Sequence, residues 1–202
     1  MPWKPRYPDA LPNNYEQAFT QIEKREKQLI ENGKLAEHNQ EIESLIERGV
    51  VRILDSKEAA YVKNEKAWYL NHKIVERPDK SSTKVRVVFD SASPFQGVCL
   101  NDALEKGPNF TNSLFRCLIS WREERIAVTG DISKMFNQIE MAEKDQKFHH
   151  FLWRFGEETS QPSVFQWKRV VFGDTCSPDI AMYAIRMLRR FTKLNCRSVQ
   201  VS

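Results

Sequence analysis

The chain has 202 residues, 41% of them hydrophobic, which is enough for a core in one large or two small domains. Its net charge of +4 lies entirely after residue 178, where five basic residues accompany Asp179 alone. This excludes a basic surface over the whole molecule, so nucleic acid would have to bind in a local groove or on the last helix.

The sequence predicts an intracellular protein, either cytoplasmic or nuclear. No apolar run approaches the roughly 20 residues of a membrane span, and the first residues lack the apolar core of a signal peptide. The four cysteines, Cys99, Cys117, Cys176 and Cys196, are widely spaced and form no C-x-x-C pair. Neither a zinc site nor a disulfide framework is indicated, and reduced thiols are expected.

Two amphipathic helices are predicted after a proline-rich arm at the start of the chain. Apolar residues recur at helical spacing from Tyr15, just after Asn14, until Gly33. A second helix with the same spacing begins near Leu35 and ends at Gly49.

A long antiparallel hairpin is predicted next. Residues 50–54 and 61–75 have the composition of extended chain. A polar turn at 77–82 then leads into the alternating stretch 84–90.

The second half mixes helices and strands. A helix is predicted from residue 111 or 112, strands at 126–129, near 148–153 and at 164–172, and a last helix from Ser177-Pro178. Because helices and strands do not alternate regularly, the pattern favours an α+β fold over a parallel doubly wound sheet.

Asp131 follows the predicted strand at 126–129 and has two interpretations. It could stand in a turn or cap a short helix over residues 132–138, which is the ordinary role of an aspartate after a strand. It could instead bind a metal ion. A carboxylate next to apolar side chains raises the free energy of the fold unless a cation or hydrogen bonds compensate its charge.

Lys84 and Arg86 lie two residues apart in a predicted strand and therefore share a face, opposite Val85, Val87 and Phe89. A solvated outer face explains this pattern. The alternative is a phosphate clamp, in which arginine supplies a bidentate fork and lysine a mobile point charge.

The turn FGDTCSP at 172–178 opens onto the last helix. Its residues are typical of an ordinary helix N-terminus with no further function. The alternative is phosphate binding, which helix N-termini also favour. His149 and His150 would point to opposite faces of a strand and have no third ligand nearby in sequence, so a metal site there is not indicated.

Several of these stretches carry, in the same order, the motifs of one family. They are PWKP and LPNN near the start, KVRVVFD with SAS at 84–93, LND to GP at 100–108, AVTGDISKMFNQI at 127–139, and FGDTCSP at 172–178. Together they resemble the reverse transcriptase domain of LTR retrotransposons, most closely the Bel/Pao group. The resemblance spans nearly the whole chain.

The resemblance implies roles for individual residues. Asp131 would be the first catalytic and metal-binding carboxylate, with the backbone carbonyl of Ile132 beside it. Phe136 would lie under the incoming sugar and exclude a 2′-hydroxyl. Four further residues would bind the nucleotide. Lys84 and Arg86 would hold its triphosphate, and Phe172 and Gly173 would lie between the nucleotide and the template.

A right-hand polymerase, with fingers and an incomplete ferredoxin-like palm, is the architecture implied by the resemblance. Residues 1–98 would form the N-terminal helices and fingers hairpin, and 99–142 the first part of the palm. Residues 143–176 would return to the fingers, and 177–202 would form a truncated palm helix.

The chain departs from the family's pattern in its carboxylates. Two-metal nucleotidyl transfer needs several of them to hold a pair of Mg²⁺ ions ~3.5–4 Å apart. In the family the others come from an Asp-Asp hairpin, whereas this sequence contains no Asp-Asp pair and ends about where that hairpin should begin. Its absence would leave apolar strand surface and backbone groups of the palm exposed. Asp174 also stands where related sequences carry an apolar residue, and its charge would oppose triphosphate binding.

The expected function follows from the resemblance. The parent activity is RNA-directed DNA polymerisation with Mg²⁺ or Mn²⁺, an RNA template, a DNA primer and dNTP. We expect this chain alone to be inactive, to bind the metal weakly, to have no membrane contact, and to self-associate through the exposed palm edge. The alternatives are a non-catalytic nucleic-acid-binding remnant and a gene remnant without a role.

Overall fold

Helices and antiparallel strands alternate irregularly in the computed structural model, which describes residues 1–76, 85–123, 125–157 and 159–191. The helices are α1 Tyr15–Glu31, α2 Leu35–Glu47, α3 Ser56–Asn64, α4 Leu100–Ala103, α5 Leu114–Trp121, α6 Glu143–Gln146 and α7 Ser177–Phe191, with a 3-10 helix at Met135–Gln138. The strands are β1 Val51–Ile53, β2 Asn71–Glu76, β3 Val85–Asp90, β4 His150–Trp153 and β5 Ser163–Trp167. The predicted α+β class is confirmed. Lys84 and the predicted turn at 77–82 lie outside the described residues.

The strands form two small antiparallel sheets. One has the order β1-β5-β4, with Val51 opposite Trp167 and His150 opposite Gln166. The other is the predicted hairpin, in which β2 pairs with β3. The hairpin therefore supplies a second sheet beside the first.

Aromatic side chains fill the space between the two sheets. The ring of Phe89, on β3, lies 4.9 Å from that of Phe151 on β4 and 4.9 Å from that of Trp167 on β5. Phe151 in turn stacks on Phe165 at 4.8 Å. Large rings at these distances bury much apolar area and add favourable edge and stacking contacts. Their packing joins the hairpin to the three-stranded sheet.

α1 is attached to this core by apolar and by polar contacts. Ala18 and Ile22 are buried, as the helical spacing predicted. The buried carboxylate of Glu26 accepts a 2.7 Å hydrogen bond from Arg154, just after β4. Asn14 precedes the helix as predicted, but its side chain is bonded to both backbone groups of Tyr69 rather than to the helix.

Three strand predictions differ from the structure. The region 61–75 was expected to be extended, yet α3 occupies its first part because Asp55 and Glu58 form a capping box at the helix start. β5 ends at Trp167, and the chain then pairs with residues 139–141 instead. No strand forms at 126–129, where no described segment lies alongside to accept its hydrogen bonds.

None of the helices in the described ranges combines the length and the apolar composition that crossing a membrane requires.

All four histidines of the chain are buried, and three of them are held neutral. His72 Nε2 donates to the carbonyl of Leu152 at 3.1 Å, so its Nδ1 is free to accept from His38 Nε2, also at 3.1 Å. Burial, with the nearby Arg25, lowers the pKa of His38 to about 2 and that of His72 to about 4. Burial, with His149 and Arg52 nearby, lowers the pKa of His150 to about 3.

These buried histidines predict an acid-sensitive fold. In the unfolded chain they take up protons near pH 6.5, whereas the folded chain resists protonation until a much lower pH. Stability should therefore be complete above about pH 6.5 and fall as the pH drops toward 4, by up to ~1.4 kcal/mol per pH unit for each histidine. Urea unfolding at half-unit pH steps measures this slope. In His150→Gln the slope between pH 6.5 and 5 should decrease by roughly one third, and an unchanged slope would contradict the assignment.

Candidate functional site

Residues 135–141 are positioned by pairing with the chain that follows β5. The N–H of Met141 donates to the carbonyl of Lys168 at 2.8 Å, and that of Val170 donates to Ile139 at 3.0 Å. The side chain of Asn137 adds a 3.2 Å hydrogen bond to the carbonyl of Val170. The 3-10 helix is thereby held beside the turn at 172–176.

This pairing brings two of the predicted nucleotide-binding residues into contact. The ring centroids of Phe136 and Phe172 lie 5.5 Å apart, with their planes tilted by 52°. Phe172 is 64% exposed, whereas Phe136 is half-buried. An exposed ring supported from one side is a surface on which a base or a sugar can pack.

Gly173 packs directly against β3. Its φ is +134°, and a Cβ at this position would lie 2.6 Å from the carbonyl oxygen of Phe89, which no side chain tolerates. Asn101 holds the turn from the other side, because its amide donates to the carbonyl of Gly173 at 3.1 Å and accepts from Thr175 N–H at 2.8 Å. The turn beside Phe172 is therefore rigidly attached to the strand that carries Arg86.

Arg86 lies on the outer face of the hairpin. Its side chain is exposed, whereas Phe89 is buried and Val87 packs on the core from a half-buried position, as the alternation predicted. No described acidic residue forms an ion pair with Arg86. Lys84, its predicted partner in phosphate binding, lies outside the described residues.

Asp131 is exposed and makes no hydrogen bond or ion pair with any described residue. Ile132, whose carbonyl was predicted to assist it, is also exposed. Nowhere in the described ranges do three or more His, Cys, Asp or Glu side chains come close enough to hold a metal ion. The residues described do not fit a pair of Mg²⁺ ions, and no catalytic step is assigned to them.

A buried polar network lies behind the turn at 172–176. The carboxylate of Asp174 accepts a 2.6 Å hydrogen bond from the hydroxyl of Ser91 and lies 2.9 Å from His149 Nε2. His149 Nδ1 donates to the carbonyl of Asp145 at 3.2 Å, and the carboxylate of Asp145 accepts from the indole of Trp3 at 2.8 Å. This network connects the start of the chain, the hairpin and the turn.

The network changes the interpretation of Asp174. The sequence suggested a charge that would oppose a bound triphosphate, but the carboxylate is only 3% exposed and both of its oxygens are engaged internally. Neither Asp174 nor Asn101 was identified as a turn-positioning residue from sequence. Ser91 lies 83 residues from Asp174, Asn101 lies 74 residues from Thr175, and His149 lies 25 residues from Asp174, so no local pattern could have revealed these contacts.

The structure thus brings together part of the predicted site. Phe136, Phe172 and Gly173 form one surface beside β3, with Arg86 exposed on that strand. Asp131 is exposed and contacts none of them through a hydrogen bond or ion pair. The chemistry available to the described surface is binding of a flat or anionic ligand.

Comparison with known proteins adds no relative to this picture. No model of a known protein family matches the chain, and no curated protein is significantly similar to it.

Gly173→Ala should destabilise the fold by about 2 kcal/mol or more, because the new Cβ meets the carbonyl of Phe89 at a positive φ. Gly97→Ala is the matched control, since Gly97 also has a positive φ, of +78°, but a Cβ there would have no other atom within 4 Å. Chemical denaturation of both variants measures the difference. Equal stability of the two would show that the turn does not pack on β3.

Asp174→Ala should lower the free energy of unfolding by about 1–3 kcal/mol for each of the two buried groups, His149 and Ser91, that it leaves without a partner. Asp174→Asn keeps the size of the side chain and one acceptor, and should cost less. Asp9→Ala, which changes an exposed aspartate, should have little effect. Thermal and urea unfolding measure the stability of the three variants. If Asp174→Ala were as stable as the unsubstituted chain, Asp174 would have no structural role.

Proposed function

We propose that this chain is the fingers and incomplete palm of a reverse transcriptase similar to those of Bel/Pao LTR retrotransposons. Its parent activity is RNA-directed DNA polymerisation on an RNA template with a DNA primer and dNTP. The 202 residues alone are inactive in this proposal, because they contain no Asp-Asp pair to complete the metal site with Asp131.

The observation that carries the proposal is the contact between Phe136 and Phe172. Two motifs that the resemblance assigns to the nucleotide are separate in sequence, yet their rings meet at 5.5 Å. Gly173, next to Phe172, packs on β3, which carries the exposed Arg86. A guanidinium and an aromatic surface attached to the same strand suit a ligand with a phosphate and a ring, and the order of the five motifs supports a nucleotide as that ligand.

A second candidate is a non-catalytic nucleic-acid-binding module. It is favoured by the exposure of Phe172 together with the unpartnered Asp131, which holds no metal cluster within the described ranges. Single-stranded nucleic acid binds through base stacking on exposed rings and through cationic side chains, and this needs no catalytic carboxylate. Here the Phe172 ring supplies the stacking surface and Arg86 the cation.

Primer extension tests the first proposal. The purified chain is incubated with an RNA template, a DNA primer, dNTP and Mg²⁺ or Mn²⁺, and we expect no incorporation. Template-dependent synthesis that Asp131→Ala abolishes would contradict the inactivity. A chain extended to include an Asp-Asp hairpin encoded downstream should gain activity that depends on Asp131.

Binding of single-stranded RNA tests the aromatic surface independently. Phe172→Ala should weaken binding roughly tenfold, as expected for the loss of one stacked base, and the affinity should fall with added salt. Tyr61→Ala is the control, because Tyr61 on α3 is 66% exposed and belongs to no predicted motif. Fluorescence anisotropy at low salt measures both. Equal effects of the two substitutions would remove Phe172 from the binding surface.

A further inference from the structure

Within the described ranges, the most exposed apolar surface is formed by α5 and the segment after it. No residue of α5 is buried, although its sequence carries a continuous apolar stripe. The exposed members are Leu114, Phe115, Leu118, Ile119 and Trp121 on the helix, followed by Ile126 and Val128. We call this surface, residues 114–123 and 125–132, the open face.

The second half of the open face has an unpaired backbone. Residues 126–132 form neither helix, turn nor strand, and none of their N–H or C=O groups bonds to another described residue. Ile126 and Val128 are 82% and 86% exposed. β-Branched residues with free backbone groups are the template on which another strand pairs.

Exposure of the open face to water is unfavourable in free energy. An isolated helix as short as α5, of eight residues, is marginal without packing on its apolar side. Several large apolar side chains in one patch are characteristic of an interaction surface rather than of a monomer's exterior. A covering partner would therefore stabilise both the helix and the segment that follows it.

We propose that the partner is a second copy of this chain, whose residues 125–131 pair antiparallel with the same residues of the first copy about a two-fold axis at Val128. In this register Arg125 of each copy lies opposite Asp131 of the other, and Ile126 lies opposite Gly130. The segment is thus complementary to itself in charge, and the bulky Ile126 meets a residue without a side chain.

Arg125 and Asp131 are both exposed, and neither forms an ion pair with a described residue. In the proposed strand they are six residues apart, a separation of roughly 20 Å, and so cannot pair within one copy. Antiparallel pairing about Val128 brings them together twice in each dimer. This charge arrangement favours a second copy of the chain, rather than an unrelated apolar strand, as the partner of the open face.

A two-stranded ribbon alone is too small to hold a dimer, since such ribbons are marginal in water and stable interfaces bury about 800 Å² per partner. In this arrangement the additional area comes from the apolar stripe of α5, which the antiparallel register directs toward the chain after residue 131 of the other copy. The inference does not rest on the proposed polymerase ancestry, as it uses only the exposure, backbone and charges of the open face.

A charge exchange tests the register. Sedimentation of the 202-residue chain should show a dimer, and Arg125→Asp or Asp131→Arg alone should raise its dissociation constant roughly tenfold or more, because each places like charges opposite each other. The double variant Arg125→Asp with Asp131→Arg restores opposite charges and should recover most of the affinity. Since both residues are exposed, circular dichroism and unfolding of the monomer, measured below the dissociation constant of the dimer, should be unchanged in all three variants.

Disulfide trapping tests the axis directly. The variants carry Val128→Cys or Ile126→Cys in a background with Cys117→Ser and Cys196→Ser, while Cys99 and Cys176 remain because they are buried. Antiparallel pairing about Val128 places the two introduced thiols at position 128 face to face, within the Cα separation that a disulfide spans. At position 126 they lie about 13 Å apart and should not cross-link.

Rapid cross-linking at 128 and not at 126, with recovery of the dimer in the double charge variant, supports the proposal. A monomer at the highest soluble concentration would overturn it. So would equal cross-linking at both positions, or a double variant that dimerises no better than the single variants. None of these readouts depends on polymerase activity or RNA binding, so a failed primer-extension or RNA-binding experiment leaves this test unaffected.

Discussion

The close approach of Gly173 to the carbonyl of Phe89 is the contact on which the arrangement of the described site depends. It presses the turn after β5 against the hairpin, at a position where any side chain would collide with backbone. Phe89 itself is buried in the aromatic packing that joins the two sheets. One backbone contact thus attaches the exposed surface around Phe172 to the aromatic packing between the two sheets.

Polar groups, as well as apolar ones, hold this part of the molecule together. Asp174, Ser91 and His149 are buried together, and the ion pair between Glu26 and Arg154 is buried beneath α1. Such groups lose hydration on folding and are retained only where geometry satisfies them. The hydrogen bonds of Asp174 fix the turn against the hairpin and that of Glu26 fixes α1 against Arg154, while the aromatic rings pack between the two sheets.

The residues from 111 to 133 differ from the rest of the molecule in burial. The first 104 residues contribute α1, α2 and the hairpin to the core, whereas α5 and the segment after it bury none of their apolar side chains. Asp131 belongs to this exposed region, and Phe136 belongs to the packed one. The two residues that the family resemblance places at one nucleotide site therefore lie on either side of a boundary between covered and uncovered chain.

The sequence by itself determined the elements whose signals are local. The helical spacing after Asn14 and the alternation in residues 84–90 specify α1 and the hairpin, because an amphipathic period identifies its own buried face. The apolar stripe also predicted α5, but spacing cannot say what covers it. The predicted strand at 126–129 does not form, since a strand requires a partner and local sequence does not provide one.

Only the tertiary structure decided the contacts that build the site. Phe136 and Phe172 were singled out through a family resemblance, but their packing required the pairing of residues 139–141 with 168–170. Asp174 looked like part of an ordinary helix start until the fold placed Ser91 and His149 around it. Side-chain chemistry and short-range periodicity can be seen directly in the amino-acid sequence. The desolvation and charge of a residue depend on neighbours that are distant in sequence.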